Sequence, residues 1–320
     1  MEKPIIYIHE SFTDTHIQEI KDAAPHYLVI TSETELSQIN QDAIQIMLGW
    51  DKTLGKKLLD SSTSQLKWVQ SISAGVDSYD LSEFKKKGIL LSNGSGIHSL
   101  SISEHVLGVL LTETRGIRKS IQQQQAHDWD KSTISYQQLS GQKMLIVGTG
   151  QIGQQLAHFA QGIGLQTYGI NTTGHATTGF IECYSLEKLS RVINEMDIVI
   201  NILPLTEHTY HLYDSNLFNA MKKGTIFVNV GRGPSVKTDD LIEALSTGQI
   251  KFAALDVFEE EPLSENSPLW EAENVLITPH ISGATPKFKR KLLAIFLPNL
   301  KSFIETGTLI KNEISFSKGY

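Results

Sequence analysis

The apolar run Met144-Leu145-Ile146-Val147 ends directly on Gly148-Thr149-Gly150-Gln151-Ile152-Gly153, and a segment with Leu156, Phe159 and Ala160 at helical spacing follows. A strand turning through G-x-G-x-x-G into a helix is a demanding pattern. The first glycine permits the tight turn, the second lets the backbone approach a ligand, and the third lets helix and strand pack closely. The helix then opens with free N–H groups and the positive end of its dipole, which suits a phosphate. The pattern predicts a βα unit with a nucleotide pyrophosphate at its turn, contacted by Gly148, Gly150, Gln151, Ile152 and Gly153. In such units an acid ending the next strand holds a ribose hydroxyl. Here Asn171 stands there, 23 positions beyond Gly148, followed by Thr172, Thr173 and His175. An uncharged loop does not repel a 2′-phosphate, so NADP(H) is favoured over NAD(H), although no arginine reinforces that preference.

The rest of the chain alternates short apolar runs with polar, helix-period segments, the signature of parallel βα units. In the first part the predicted strands are Ile5 to Ile8, Tyr27 to Ile30, Ile44 to Leu48, Trp68 to Ile72 and Ile89 to Leu91. Predicted helices lie between them at Asp14 to Ala23, Ser32 to Gln38, Lys52 to Leu59 and Ser78 to Lys86. From Ser99 to Thr114 apolar residues are so dense that a helix buried on most sides is expected, as one crossing between two domains would be. The polar tract from Ser120 to Ser135, with Gln122 to Gln125 and Trp129, reads either as a solvated helix face or as an arm against a second subunit. Strands resume at Met144 to Val147, Leu165 to Ile170, Ile198 to Ile202, Thr225 to Val230, Phe252 to Val257 and Val275 to Thr278. The tail, with Leu292, Leu293, Ile295, Phe296, Leu300, Phe303 and Ile304, reads as an amphipathic helix.

At 320 residues the chain exceeds what one hydrophobic core usually supports, so two domains are expected. A net charge of -7 disfavours a surface built for nucleic acid or anionic lipid. No apolar stretch approaches the roughly 20 residues that span a bilayer, and the run after Pro4 is too short for a signal peptide core. A cytoplasmic protein acting on a small molecule is the expectation, with no nucleic-acid and no membrane partner. The single cysteine, Cys183, has no partner thiol, and nothing points to a metal.

Three segments then fall at the carboxyl ends of predicted strands, where open α/β sheets place their ligands. In Asn229-Val230-Gly231-Arg232-Gly233 an arginine between glycines can offer a planar fork to a carboxylate. Leu255-Asp256-Val257-Phe258-Glu259-Glu260-Glu261-Pro262 supplies acids, and Thr278-Pro279-His280 supplies a histidine. Paired with a carboxylate, that histidine can hold and release a proton near neutral pH.

These segments, with Ser73-Ala74-Gly75-Val76-Asp77 and Leu203-Pro204-Leu205-Thr206, resemble the D-isomer-specific 2-hydroxyacid dehydrogenases over nearly the whole chain. The resemblance implies an α/β fold of two doubly wound parallel-sheet domains. A Rossmann cofactor domain (99–285) would be inserted into a flavodoxin-like substrate domain (1–98 and 286–320). It implies that Arg232 binds the substrate carboxylate and carbonyl, that His280 is the acid/base, and that Glu261 pairs with it. Backbone N–H groups of Ala74, Gly75 and Val76 would hold the carboxylate, and Asp256 would contact the nicotinamide end. Leu203, Pro204, Thr209, Val230 and Ser282 would line the cofactor, while Glu259 and Glu260 would be solvated. A homodimer is usual in the family.

The expected reaction passes a hydride between NADP(H) or NAD(H) and a 2-keto or 2-hydroxy acid. Gly49-Trp50-Asp51-Lys52 replaces the arginine and serine usual in phosphoglycerate dehydrogenases, which argues against a phosphorylated substrate. Trp50 would line the substrate pocket or pack between domains. Ser267-Pro268-Leu269-Trp270 looks like the stretch in glyoxylate/hydroxypyruvate reductases, making a small 2-keto acid the leading substrate. Larger branched or aromatic 2-keto acids are one alternative, and a dinucleotide-sensing binding protein is another. His98 stands where the family commonly has asparagine.

Overall fold

A parallel strand covered on both faces must be apolar at every position, and Ile5–Ile8 (β1) meets that demand with four buried residues. The computed structural model describes residues 3–76 and 78–316, so Asp77 of the Ser73–Asp77 motif lies outside the described residues. The chain divides into two units, Met1–Ile97 with Thr285–Tyr320, and His98–Ala284.

In the first unit β1 is joined by Leu28–Ile30 (β2), Ile44–Leu48 (β3), Trp68–Gln70 (β4) and Leu90–Ser92 (β5). They form one sheet in the order β2-β1-β3-β4-β5, every pair parallel. Period-two alternation splits its side chains between two cores. Ile5, Tyr7, Met47 and Val69 face one way with Leu54, Leu58 and Phe84, whereas Ile6, Ile8, Ile46 and Trp68 face the other. The second face is covered by the C-terminal helix Phe288–Thr306, where Trp68 stacks on Phe296 at 5.0 Å between ring centres. That helix contains Pro298, which has no N–H for the carbonyl four residues back. Lys311 Nζ takes the carbonyl of Ala294 instead, at 3.0 Å.

The second unit has seven strands: Lys143–Val147 (β6), Gln166–Asn171 (β7), Glu182–Ser185 (β8), Ile198–Asn201 (β9), Thr225–Asn229 (β10), Ile250–Leu255 (β11) and Val275–Ile277 (β12). Their order is β12-β11-β10-β9-β6-β7-β8, again with every pair parallel. Sequence patterning missed β8. It lies at the sheet edge with no fully buried residue, so Glu-Cys-Tyr-Ser lacks the apolar signature of its neighbours. The helix Ser99–Thr114 buries Ile102, Val106, Val109 and Leu110 in this unit's own core against Met144 and Ile146.

The glutamine tract is helical over Ile117–Ala126, and it is not uniformly solvated as a plain polar face would be. Gln123 is buried, donating to the carbonyl of Asp130 at 2.6 Å and to Thr133 Oγ1 at 3.0 Å, which ties down the loop that follows. Among the described residues no helix is long and apolar enough to cross a membrane.

Candidate active site

In the seven-stranded sheet the direction of chain progression reverses between β6 and β9, and ligands of open α/β sheets bind at such a switch point. The glycine-rich turn leaves β6 there. Gly148 has φ +115°, a Cβ on Gly153 would lie 2.1 Å from the Gly148 carbonyl oxygen, and Gly150 faces open space. The helix Gln151–Gly162 begins on Gly150 with no side-chain cap, so its first N–H groups point outward unpaired by side chains. This cradle fits the pyrophosphate of a dinucleotide.

The Asn171 carboxamide is turned into its own loop. Its oxygen accepts from the N–H groups of Thr173, Gly174 and His175 (3.3, 2.7 and 3.2 Å), and its nitrogen donates to Thr149 Oγ1 and the His175 carbonyl. Asn171 therefore shapes the loop rather than projecting from it, while Thr172 stays exposed. After β9, Thr209 is likewise internal: its hydroxyl donates to the Pro204 carbonyl at 2.7 Å and accepts from Thr206 N, bracing the turn that carries Leu203 and Pro204.

Arg232 follows β10 on a loop built from glycines and a buried amide network. A Cβ on Gly231 would come 2.8 Å from the Leu203 oxygen, and one on Gly233 would come 1.7 Å from the Phe258 oxygen. Asn201 is fully buried and donates to Asn229 Oδ1 at 2.9 Å and Ser235 Oγ at 2.8 Å. Asn229 Oδ1 also accepts from Gly231 N, and Ser235 Oγ donates to the Arg232 carbonyl at 2.6 Å. Arg232 Nη1 donates to the Gly231 carbonyl at 2.9 Å. Sequence reasoning passed over Asn201 and Ser235. A polar residue ending the apolar run Ile198-Val199-Ile200 was the available signal, since a buried amide must find partners.

The loops after β11 and β12 bring Glu261 and His280 together. His280 Nδ1 lies 2.7 Å from Glu261 Oε2, and Glu261 Oε1 accepts from Phe258 N at 3.0 Å. His280 has φ +53°, a left-handed conformation uncommon for residues other than glycine. Asp256 clamps that conformation from beneath. It is 1% exposed, and its carboxylate accepts from Thr278 Oγ1 at 2.6 Å and from the N–H groups of Ile281 and Ser282 at 2.9 Å each. Its carbonyl accepts from His280 N at 2.9 Å.

Glu259 is exposed, in keeping with a solvated acid, but it is also paired. It pairs with His211 Nε2 at 2.7 Å and accepts from Thr238 N at the start of the helix Thr238–Ser246. Bonds from Thr238 and His211 hold its carboxyl below the usual range despite the opposing effect of burial.

In the first unit the carbonyls of Ala74, Gly75 and Val76 are taken by Asn93 Nδ2, Ser73 Oγ and Tyr79 N. A trans peptide points each carbonyl opposite to the next N–H, so the N–H groups of Gly75 and Val76 face away from those partners. Trp50 packs within this unit on Tyr79 and Phe84, at 5.4 and 5.5 Å between ring centres.

A family model described as the NAD binding domain of D-isomer specific 2-hydroxyacid dehydrogenases matches residues 107–282, more than half of the chain. The chain belongs to this family. It is an oxidoreductase dependent on a nicotinamide dinucleotide. Family members similar to it include glyoxylate/hydroxypyruvate reductase B of Shigella dysenteriae, 30% identical over 97% of this chain and 97% of its own. Phosphoglycerate dehydrogenase from Lactobacillus plantarum is 37% identical over 97% of this chain and 100% of its own, with a TM-score of 0.59. The NADPH-dependent glyoxylate/hydroxypyruvate reductase of Sinorhizobium meliloti, solved with NADP and sulfate, is 25% identical. It covers 99% of this chain and 100% of its own, with a TM-score of 0.81.

Proposed function

We propose that this member of the family reduces a small, unphosphorylated 2-keto acid such as glyoxylate or hydroxypyruvate to the D-2-hydroxy acid, preferring NADPH, with Arg232, Glu261 and His280 as its catalytic set. The observation that carries the reading is the 2.7 Å bond between His280 Nδ1 and Glu261 Oε2. Glu261 can only accept there when ionised, so Nδ1 carries the hydrogen and Nε2 is left to exchange the proton. When bound, the nicotinamide supplies or takes the hydride.

The chain's own residues do the rest. His280 Nε2 protonates the carbonyl oxygen as reduction proceeds, and Glu261 stabilises the imidazolium that must be present beforehand. Arg232 holds the carboxylate and polarises the carbonyl through its fork of N–H donors. The outward N–H groups of Gly75 and Val76, with Ala74, are the expected second grip on the carboxylate, and Trp50 the wall beside it. Gly148, Gly150, Gln151, Ile152 and Gly153 would hold the pyrophosphate. Thr172, Leu203, Pro204, Thr209, Val230, Asp256 and Ser282 would line or support the remainder of the cofactor.

An unphosphorylated substrate is supported by Asp51, which caps the helix Lys52–Asp60 through Thr53 N and Leu54 N. A carboxylate already occupies the helix end that a phosphate would otherwise seek. The preference for NADPH is supported by the neutral loop that Asn171 organises, and by the NADP held in the Sinorhizobium relative. A homodimer is supported by the large apolar side chains exposed along one stretch of chain, Trp129 at 99% with Ile117, Ile121 and Tyr136, surface that a second subunit would cover.

Oxidation of NADPH and NADH should be followed against glyoxylate, hydroxypyruvate, pyruvate, 3-phosphohydroxypyruvate and branched and aromatic 2-keto acids. Highest kcat/KM with glyoxylate or hydroxypyruvate and NADPH is expected. Preference for the phosphorylated or bulky acids would overturn the substrate assignment, and binding of cofactor without any turnover would overturn the catalytic set. Sedimentation should give a dimer that Trp129→Glu weakens.

A further inference from the structure

We infer that His98 and His105 are positioning residues that hold the two ends of the segment Thr278–Gly283 and thereby set where His280 presents its ring. The inference rests on the reading of His280 as the acid/base. His98 immediately precedes the helix Ser99–Thr114 and His105 lies within it. They are seven residues apart, two helical turns, so both project from one face.

At one end, His105 Nε2 is 3.3 Å from Thr278 Oγ1. The single hydroxyl proton of Thr278 goes to Asp256 Oδ1 at 2.6 Å, so the hydroxyl accepts from His105 and Nε2 is the protonated nitrogen. Burial holds the His105 imidazole below the ordinary histidine range, against the opposing pull of the Asp256 carboxylate. A neutral ring with its one hydrogen on Nε2 is the form this relay requires.

At the other end, His98 Nδ1 is 2.6 Å from the Gly283 carbonyl. A carbonyl only accepts, so His98 donates from Nδ1. The two histidines thus grip residues 278 and 283, while Asp256 bonds the N–H groups of 280, 281 and 282 between them.

The need for so many anchors follows from His280 itself. A left-handed backbone at a non-glycine residue is disfavoured and persists only where its surroundings enforce it. If either end is released, the segment can relax toward ordinary backbone and swing the imidazole off Glu261. Small misplacements of a reacting group carry large rate penalties.

The test uses paired variants. His98→Ala and His105→Leu remove each donor, whereas His98→Asn and His105→Gln keep a donor at the place of Nδ1 and Nε2. The two disruptive variants should each lower kcat about tenfold, with any loss of NADPH affinity smaller than the loss of kcat. They should also speed hydrogen exchange in peptides covering 277–285. The Asn and Gln variants should restore both rate and protection. Unchanged kcat, or Asn and Gln variants as slow as the disruptive ones, would overturn the inference.

His280→Gln in the same assay separates the two readings. If it is inactive while the disruptive variants behave like the parent, the acid/base role stands and the positioning role falls. If it stays active, the acid/base role falls and exchange alone reports whether the histidines hold the segment.

Discussion

The turn Gly148–Gly153 and the segment Thr278–Gly283 both sit at carboxyl ends of strands in the same sheet, yet they are held by opposite means. The glycine turn is shaped within six residues: a positive φ at Gly148 and a clearance at Gly153 that admits no side chain. The histidine segment takes its shape from side chains far away in sequence, namely His98, His105, Asp256 and Glu261. Its one left-handed residue is His280 itself, so the strain is resisted by polar partners rather than avoided by glycine. A site for a common ligand can be written locally; a reacting group that must point one way needs long-range anchors.

The comparison breaks most visibly at Gly153. Gly153→Val would drive a side chain into the Gly148 carbonyl, and we expect no saturable NADPH binding by fluorescence titration. Gly150→Ala faces open space, so circular dichroism should show the fold intact while cofactor affinity falls. If Gly153→Val binds NADPH normally, the turn is not locally dictated.

His280→Gln should lower turnover roughly 100-fold, the usual order for loss of a general acid. Its NADPH affinity should be kept, since the glycine turn is untouched. A variant within a few-fold of the parent rate would remove His280 from the chemistry.

Glu261→Gln is smaller and sharper. The amide keeps a hydrogen-bond acceptor but removes the charge that favours the imidazolium. Reduction should therefore lose kcat, by less than in His280→Gln, while NADPH affinity is kept. A kcat equal to that of the parent would reduce Glu261 to an orienting role.

The smallest effect concerns His105. Its folded form is held below the ordinary histidine range by burial, so the unfolded chain binds the extra proton first as pH falls. Stability linked to His105 is present above about pH 6.5, the unperturbed histidine value, and is lost as pH drops toward the folded value. The Tm of His105→Gln should fall less than that of the parent between pH 7 and 5. Parallel curves would show that His105 does not contribute this linkage.

Much of the fold was legible because parallel strands buried on both faces announce themselves as apolar runs, as at Ile5–Ile8 and Thr225–Asn229. Strand β8 was illegible for the converse reason, being a partly exposed edge. Arg232 and His280 were legible from their places after strands, whereas Glu261 was set apart from Glu259 and Glu260 only by the family resemblance. Asn201, Ser235 and the bond from Thr278 to Asp256 were not legible, because each acts only through partners tens of residues distant or across a loop. Asn171 ends its strand as expected, but its amide bonds its own loop.

By itself, the sequence determined the βα alternation, the glycine turn and the residue types at three strand ends, since local sterics and period-two burial are properties of neighbouring residues. Only the tertiary structure decided the 2.7 Å meeting of His280 with Glu261 and the grip of His98 and His105 on its segment. A hydrogen bond depends on position and direction in space, and for groups far apart in the chain those are set by how strands and helices pack.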